Sequence, residues 1–159
     1  MPNMIEIKNF EEVKNKCEEY YKTLTPVQCP YFQKQIGFNS QGLEHLKFKN
    51  HTRPRNPRDQ YLRFRLIHLA PQILKLSRTV QGILKTKEFE RMRVHSRTEN
   101  ILTHISYFEF IAILEDVRVK VIVKQIADGE LFFWSIIPFW GTNEITKEKY
   151  LHSGNPETD

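Results

Sequence analysis

Residues 117–138 read VRVKVIVKQIADGELFFWSIIP. Two β-rich runs, Val117–Ile126 and Leu131–Ile137, flank Asp128-Gly129, and an Asp-Gly pair between such runs is the strongest short-range hairpin signal. A two-residue loop there sets Ala127 opposite Glu130, Lys124 opposite Phe133 and Ile122 opposite Ser135. A second two-residue connection at Glu115-Asp116 brings in a third run, Ile105–Leu114. It sets Val117 against Leu114, Lys120 against Ile111, Ile122 against Glu109 and Lys124 against Tyr107.

Side chains alternate across a strand, so this register sorts the three runs into two faces. One collects Phe108, Phe110, Ala112, Leu114, Val117, Val119, Val121, Val123, Phe132, Trp134 and Ile136, every one apolar. That face must pack on other elements, and a slip by one residue would scramble it. The opposite face carries Tyr107, Glu109, Lys120, Lys124 and Ser135, with Ile111, Ile122, Phe133 and Ile137 between them. Lys124 and Ser135 are thus expected on one face and Trp134 on the other.

Working outward, the N-terminal half reads as helical. Asn9 and Glu12 fit a capping box, and Phe10, Val13, Cys17, Tyr20 and Leu24 recur at steps of three or four. Pro26 and Pro30 end that helix. Ser40 suits the start of a shorter helix through Lys49, on which His45 and Lys49 share a face. Pro57 suits the first turn of a helix running to about Leu69, which Pro71 breaks or restarts. A weaker strand covers Ile83–Val94. Helices followed by a run of strands predict an α+β fold: N-terminal helices packed on one face of a C-terminal antiparallel sheet of about four strands. Residues 1–152 are expected to form a single domain, and 153–159 a flexible polar tail.

The chain has 159 residues and a net charge of +5. Between Gly42 and Arg97 stand 14 Lys or Arg and 4 Asp or Glu, leaving an acidic remainder. Concentrated Lys and Arg attract polyanions. No apolar run reaches the length needed to span a bilayer, and Met1–Phe10 lacks a signal-like apolar core. A cytoplasmic protein without membrane association is expected. Its two cysteines, Cys17 and Cys29, would there be free thiols.

RNA can be cut by its own ribose hydroxyl attacking the adjacent phosphate, given a base, an acid and cations that stabilise the phosphorane. The polar sheet face and the basic middle supply those groups. Segment 117–138, with the His45 helix and the Arg63/Arg65 segment upstream, resembles nucleases encoded by phages and mobile elements. These belong to the barnase–EndoU–colicin–RelE superfamily, and the resemblance covers about residues 36 to 138. It implies N-terminal helices before a four-stranded antiparallel sheet and endoribonuclease activity of toxin type with no cofactor or metal ligand. It also implies RNA, such as tRNA or mRNA, as substrate and a neutralising antitoxin protein as partner. The positions matching its pattern are His45, Lys124 and Ser135, with Glu109 as a further catalytic candidate. The RNA-binding candidates are Lys49, His51, Arg63, Arg65, Lys120, Tyr107 and Phe133. The alternatives are a non-catalytic nucleic-acid-binding module and an interaction protein that meets an acidic partner.

Overall fold

The computed structural model describes residues 9–50, 52–94, 97–139 and 155–159, with backbone alone at 90–94, 99 and 100. The elements follow as α1 (Phe10–Thr23), β1 (Val27–Cys29), β2 (Lys34–Gly37), α2 (Ser40–Lys47), β3 (Phe48–Asn50), β4 (Arg53–Pro54), α3 (Pro57–Leu66), α4 (Leu69–Leu76), β5 (Gly82–Val94), β6 (Arg97–Leu114), β7 (Val117–Ile126) and β8 (Leu131–Pro138). The fold is α+β. The main sheet corrects the expected one: it has six strands in the order β1-β2-β8-β7-β6-β5, and β2 runs parallel to β8. The additional strands β1 and β2 are three and four residues long. Runs that short carry almost no periodic signal.

The β6–β7 register is the expected one, including Lys120 opposite Ile111, Ile122 opposite Glu109 and Lys124 opposite Tyr107. Glu115 and Asp116 both take positive φ, 52° and 62°. That is the two-residue turn whose twist suits a hairpin.

The β7–β8 hairpin departs from expectation in one informative way. Its connection spans 127–130 rather than two residues, so Gln125 faces Leu131, Lys124 faces Phe132 and Val123 faces Phe133. A β-bulge at Trp134 then restores the expected pairing of Ile122 with Ser135. A bulge sets two residues against one and re-aims side chains. Here it turns Phe133 into the main core, where its ring stacks with Phe38 at 5.5 Å. Trp134, expected in that core, instead lies on the opposite face beside Lys124.

The main core joins Cys17 and Tyr21 of α1, Leu46 of α2, Phe64 of α3 and Ile73 and Leu74 of α4 to Phe108, Phe110, Val119, Val121, Val123, Phe133 and Ile136 of the sheet. Fully burying side chains of this kind contributes about 1.5–3 kcal/mol each. β2 pairs with β1 on one edge and with Leu131 and Phe132 of β8 on the other, and α2 and α3 pack against β8. On the other face a second cluster forms around Ile105, Tyr107 and Ile122. Residues 155–159 form a turn, with Pro156 and Asp159 buried. Among the described residues, no helix is long and apolar enough to cross a membrane.

Candidate functional site

The site begins with a glycine. Asn39 caps α2 through its side chain, which accepts from the Gly42 amide at 3.2 Å. A Cβ on Gly42 would lie 2.4 Å from the Phe133 carbonyl oxygen. With hydrogen there, α2 approaches the backbone of β8 directly. One turn later His45 lies over Trp134, ring centroids 3.9 Å apart and planes 19° apart. Its Nε2 is 3.0 Å from Arg55 Nη2. A guanidinium only donates, so Nε2 accepts and the proton resides on Nδ1. Burial, then Arg55, Arg63 and Lys124, hold the imidazole well below its ordinary pKa. His45 is therefore neutral, with one nitrogen committed.

α3 brings the cations. Pro57 opens it, and the Asn56 side chain caps it by accepting from the Asp59 amide at 2.8 Å. Asp59 and Arg63, four residues apart on one helix face, form a buried pair at 2.5 Å, and Arg55 Nη1 lies 3.6 Å from the same carboxylate. Arg63 is fully buried. Its Nη1 donates to Ser135 Oγ at 2.6 Å and to the main-chain oxygen of Asp159. Among the described residues, its Nη2 has no hydrogen-bond partner. Lys120, also buried, sits 3.5 Å from Glu109 and 3.9 Å from the Asp159 carboxylate.

Beside this cluster opens a groove of about 670 Å³ lined by His45, Lys49, Glu88, Phe89, Tyr107, Lys124, Trp134 and Glu157, among others. The Lys124 ammonium stands 4.1 Å from the centre of a Trp134 ring and 5.6 Å from that of Tyr107. The Tyr107 hydroxyl donates to Glu88 at 3.3 Å. Partial burial, then the neighbouring Glu157 carboxylate, raise the Glu88 pKa. A carboxyl shifted in that direction moves toward the range where it exchanges protons near neutral pH.

The fold thus gathers His45, Lys124, Ser135, Lys120, Glu109, Tyr107 and Arg63 around Trp134 and Asp159, with Lys49 at the groove. Their accessibility differs from expectation. Arg63 and Tyr107 are buried rather than surface RNA contacts. Phe133 is excluded from the site, because the bulge turns it into the core. Arg65 is two helical positions from Arg63 and lies instead over Tyr61, 5.7 Å from its ring. His51 lies outside the described residues. Arg55, Asp59, Glu88 and Trp134 are the additions. The i,i+4 spacing of Arg55, Asp59 and Arg63 was readable in the sequence; Glu88 needed the β5–β6 register, and Trp134 the bulge. Among the described residues, no three His, Cys, Asp or Glu side chains gather as a metal-ligand set. Comparison with known protein families, curated proteins and solved structures finds no match.

Proposed function

We propose that this protein is an endoribonuclease that binds RNA along the groove and cleaves it by ribose-hydroxyl attack on the adjacent phosphate, using side chains rather than a metal ion. The observation that carries this reading is the Glu88–Tyr107–Lys124 constellation: a carboxyl with a raised pKa, a phenol and an ammonium on one groove wall. Glu88 in its carboxylate form takes the proton of the attacking hydroxyl, the P–O5′ bond breaks as the cyclic phosphate forms, and solvent in the open groove protonates the departing 5′-oxygen. Lys124 stabilises the charge gathering on the phosphorane oxygens. Its position against two aromatic rings limits competing solvation and fixes the ammonium. Lys49 holds the flanking backbone phosphate. His45, neutral and engaged with Arg55, is a positioning residue: its ring supports Trp134, which in turn supports Lys124.

Cleavage of total RNA by the purified protein in excess chelator, with the ends mapped, tests the reaction. Cyclic-phosphate and free 5′-hydroxyl ends are expected. Lys124→Ala should cut the rate by about 100- to 1000-fold, and Glu88→Gln by a comparable 100- to 10,000-fold. Wild-type rates in both variants would refute the assignment.

The commitment of the His45 nitrogen to Arg55 favours a second reading, a non-catalytic RNA-binding module. It predicts salt-sensitive RNA binding that Lys124→Ala weakens, with no cleavage at any pH. In either case the basic stretch between Gly42 and Arg97 suits an acidic neutralising protein, and a nuclease held in that way would be toxic when expressed alone.

A further inference from the structure

β6 is longer than the strand beside it. It has 18 residues, and β7 pairs with it over Ile105–Leu114. From Arg97 to His104 it pairs with Lys87–Val94 of the 13-residue β5. These two stretches run on past β7 as a two-stranded ribbon, roughly 25 Å long at about 3.3 Å per residue. The Ala127 amide donates to the His104 carbonyl at 2.7 Å and marks where β7 leaves them. β5 is the outermost strand of the sheet.

Side chains alternate across β5. Leu84, Thr86 and Glu88 are half-buried, and Glu88 meets Tyr107 at the groove. Lys85, Lys87 and Phe89 take the other face and are exposed, Phe89 by 71%. Opposite them on β6 stand Ser106, His104 and Leu102, of which Leu102 is 53% exposed. Within the sheet the same face is covered, with Phe108 and Phe110 packed on Phe32. Beyond Phe108, two ammonium groups and a cross-strand Phe–Leu pair therefore stand in water. Among the described residues neither lysine is held in an ion pair. Phe89 also lines the groove, so the two surfaces meet at this residue.

The chemistry of this row discriminates among occupants. Antiparallel addition of a second copy's β5 would set odd positions against odd positions and bring the lysine rows together, and like charges across strands repel. Lysines on an edge strand oppose such pairing. Duplex RNA offers phosphates to the lysines but no base face to Phe89. An unpaired strand offers both, phosphates for the ammonium groups and π-faces for the ring.

We propose that the β5–β6 ribbon is a second surface for single-stranded RNA, with Lys85 and Lys87 on backbone phosphates and Phe89 under an unpaired base. The inference rests on the RNA reading of the groove but not on cleavage. A strand leaving the groove past Phe89 crosses the outer edge of β5 onto the lysine row, so the substrate is an unpaired segment that spans both surfaces.

The probe is a fluorescent 2′-O-methyl RNA strand of about 12 nucleotides, which lacks the attacking hydroxyl. Its affinity for the intact chain is read by anisotropy over a range of salt. Lys85→Gln with Lys87→Gln should lower the slope of log affinity against log salt by about 1.4, the value for two lost phosphate contacts on a single strand. Phe89→Ala should weaken binding about fivefold or more with the slope unchanged. The replaced side chains are exposed, so unfolding midpoints should match the wild type. An unchanged slope in the lysine variant, or wild-type affinity in Phe89→Ala, would overturn the ribbon. So would equal sensitivity to Phe89→Ala when the strand is annealed to its complement, which marks a duplex surface. A dimer that Phe89→Ala dissolves would overturn it in favour of a second copy, and no binding by the intact chain in favour of an acidic protein. Cleavage is scored separately on unmodified RNA. Ribbon-dependent binding without cleavage refutes the nuclease and leaves the ribbon. Cleavage with binding unchanged in every variant refutes the ribbon and leaves the nuclease.

Discussion

His45 makes the stability of this protein depend on pH in a calculable way. The residue is 3% exposed, its ring stacked on Trp134 and bonded through Nε2 to an arginine. Protonation would put a second buried cation against Arg55. The folded state therefore holds the pKa far below its ordinary value of 6.5, through burial first and neighbouring cations second. In the unfolded chain the same imidazole protonates near 6.5. Below that pH the unfolded state binds one more proton than the folded state, so stability rises with pH there. This contribution is complete above 6.5 and is lost progressively as pH falls. Well below 6.5 each pH unit is worth about 1.4 kcal/mol, giving a loss of about 2.7 kcal/mol from this residue between pH 7.5 and 4.5. Carboxylates also titrate in that window, so the wild type is compared with His45→Gln, whose amide can accept from Arg55 but cannot be protonated. Urea denaturation at half-unit steps from pH 7.5 to 4.5 should show the wild type losing about 2.7 kcal/mol more than the variant. The comparison concerns pH slopes, so the variant's loss of ring stacking cancels. Parallel slopes, or an assigned His45 resonance titrating near 6.5 in the folded protein, would refute the reasoning.

Gly42→Ala would drive a methyl group into the Phe133 carbonyl and the Tyr21 hydroxyl; a loss of about 1–3 kcal/mol is expected in denaturant unfolding. Asp59→Asn removes the carboxylate facing both Arg55 and Arg63. Breaking a buried ionic set in this way should cost about 3–5 kcal/mol, read as a lower denaturation midpoint. Replacing Glu115-Asp116 with Asn-Gly relieves two positive-φ positions and should raise stability by about 1–2 kcal/mol in denaturant unfolding.

The sequence by itself determined the class of fold, the helix and strand patterning, and most of the two-faced sheet. Periodicity is a local property: Val117, Val119, Val121 and Val123 must share a face whatever surrounds them. It also determined that Lys120, Lys124 and Ser135 stand opposite that core, together with the basic stretch that brings Arg55 and Arg63. The tertiary structure alone decided which aromatic residue of β8 joins them. Phe133 and Trp134 are adjacent and both apolar, so composition could not choose between them. The choice follows from a longer 127–130 connection, a compensating bulge, and an α2 glycine that lets a helix press on the β8 backbone. Long-range closure was equally invisible. Glu88 meets Tyr107 through a strand pairing, and Asp159 meets Arg63 across 96 positions of chain. Such contacts depend on how completed elements pack, because no local pattern records which distant oxygen a buried guanidinium will find.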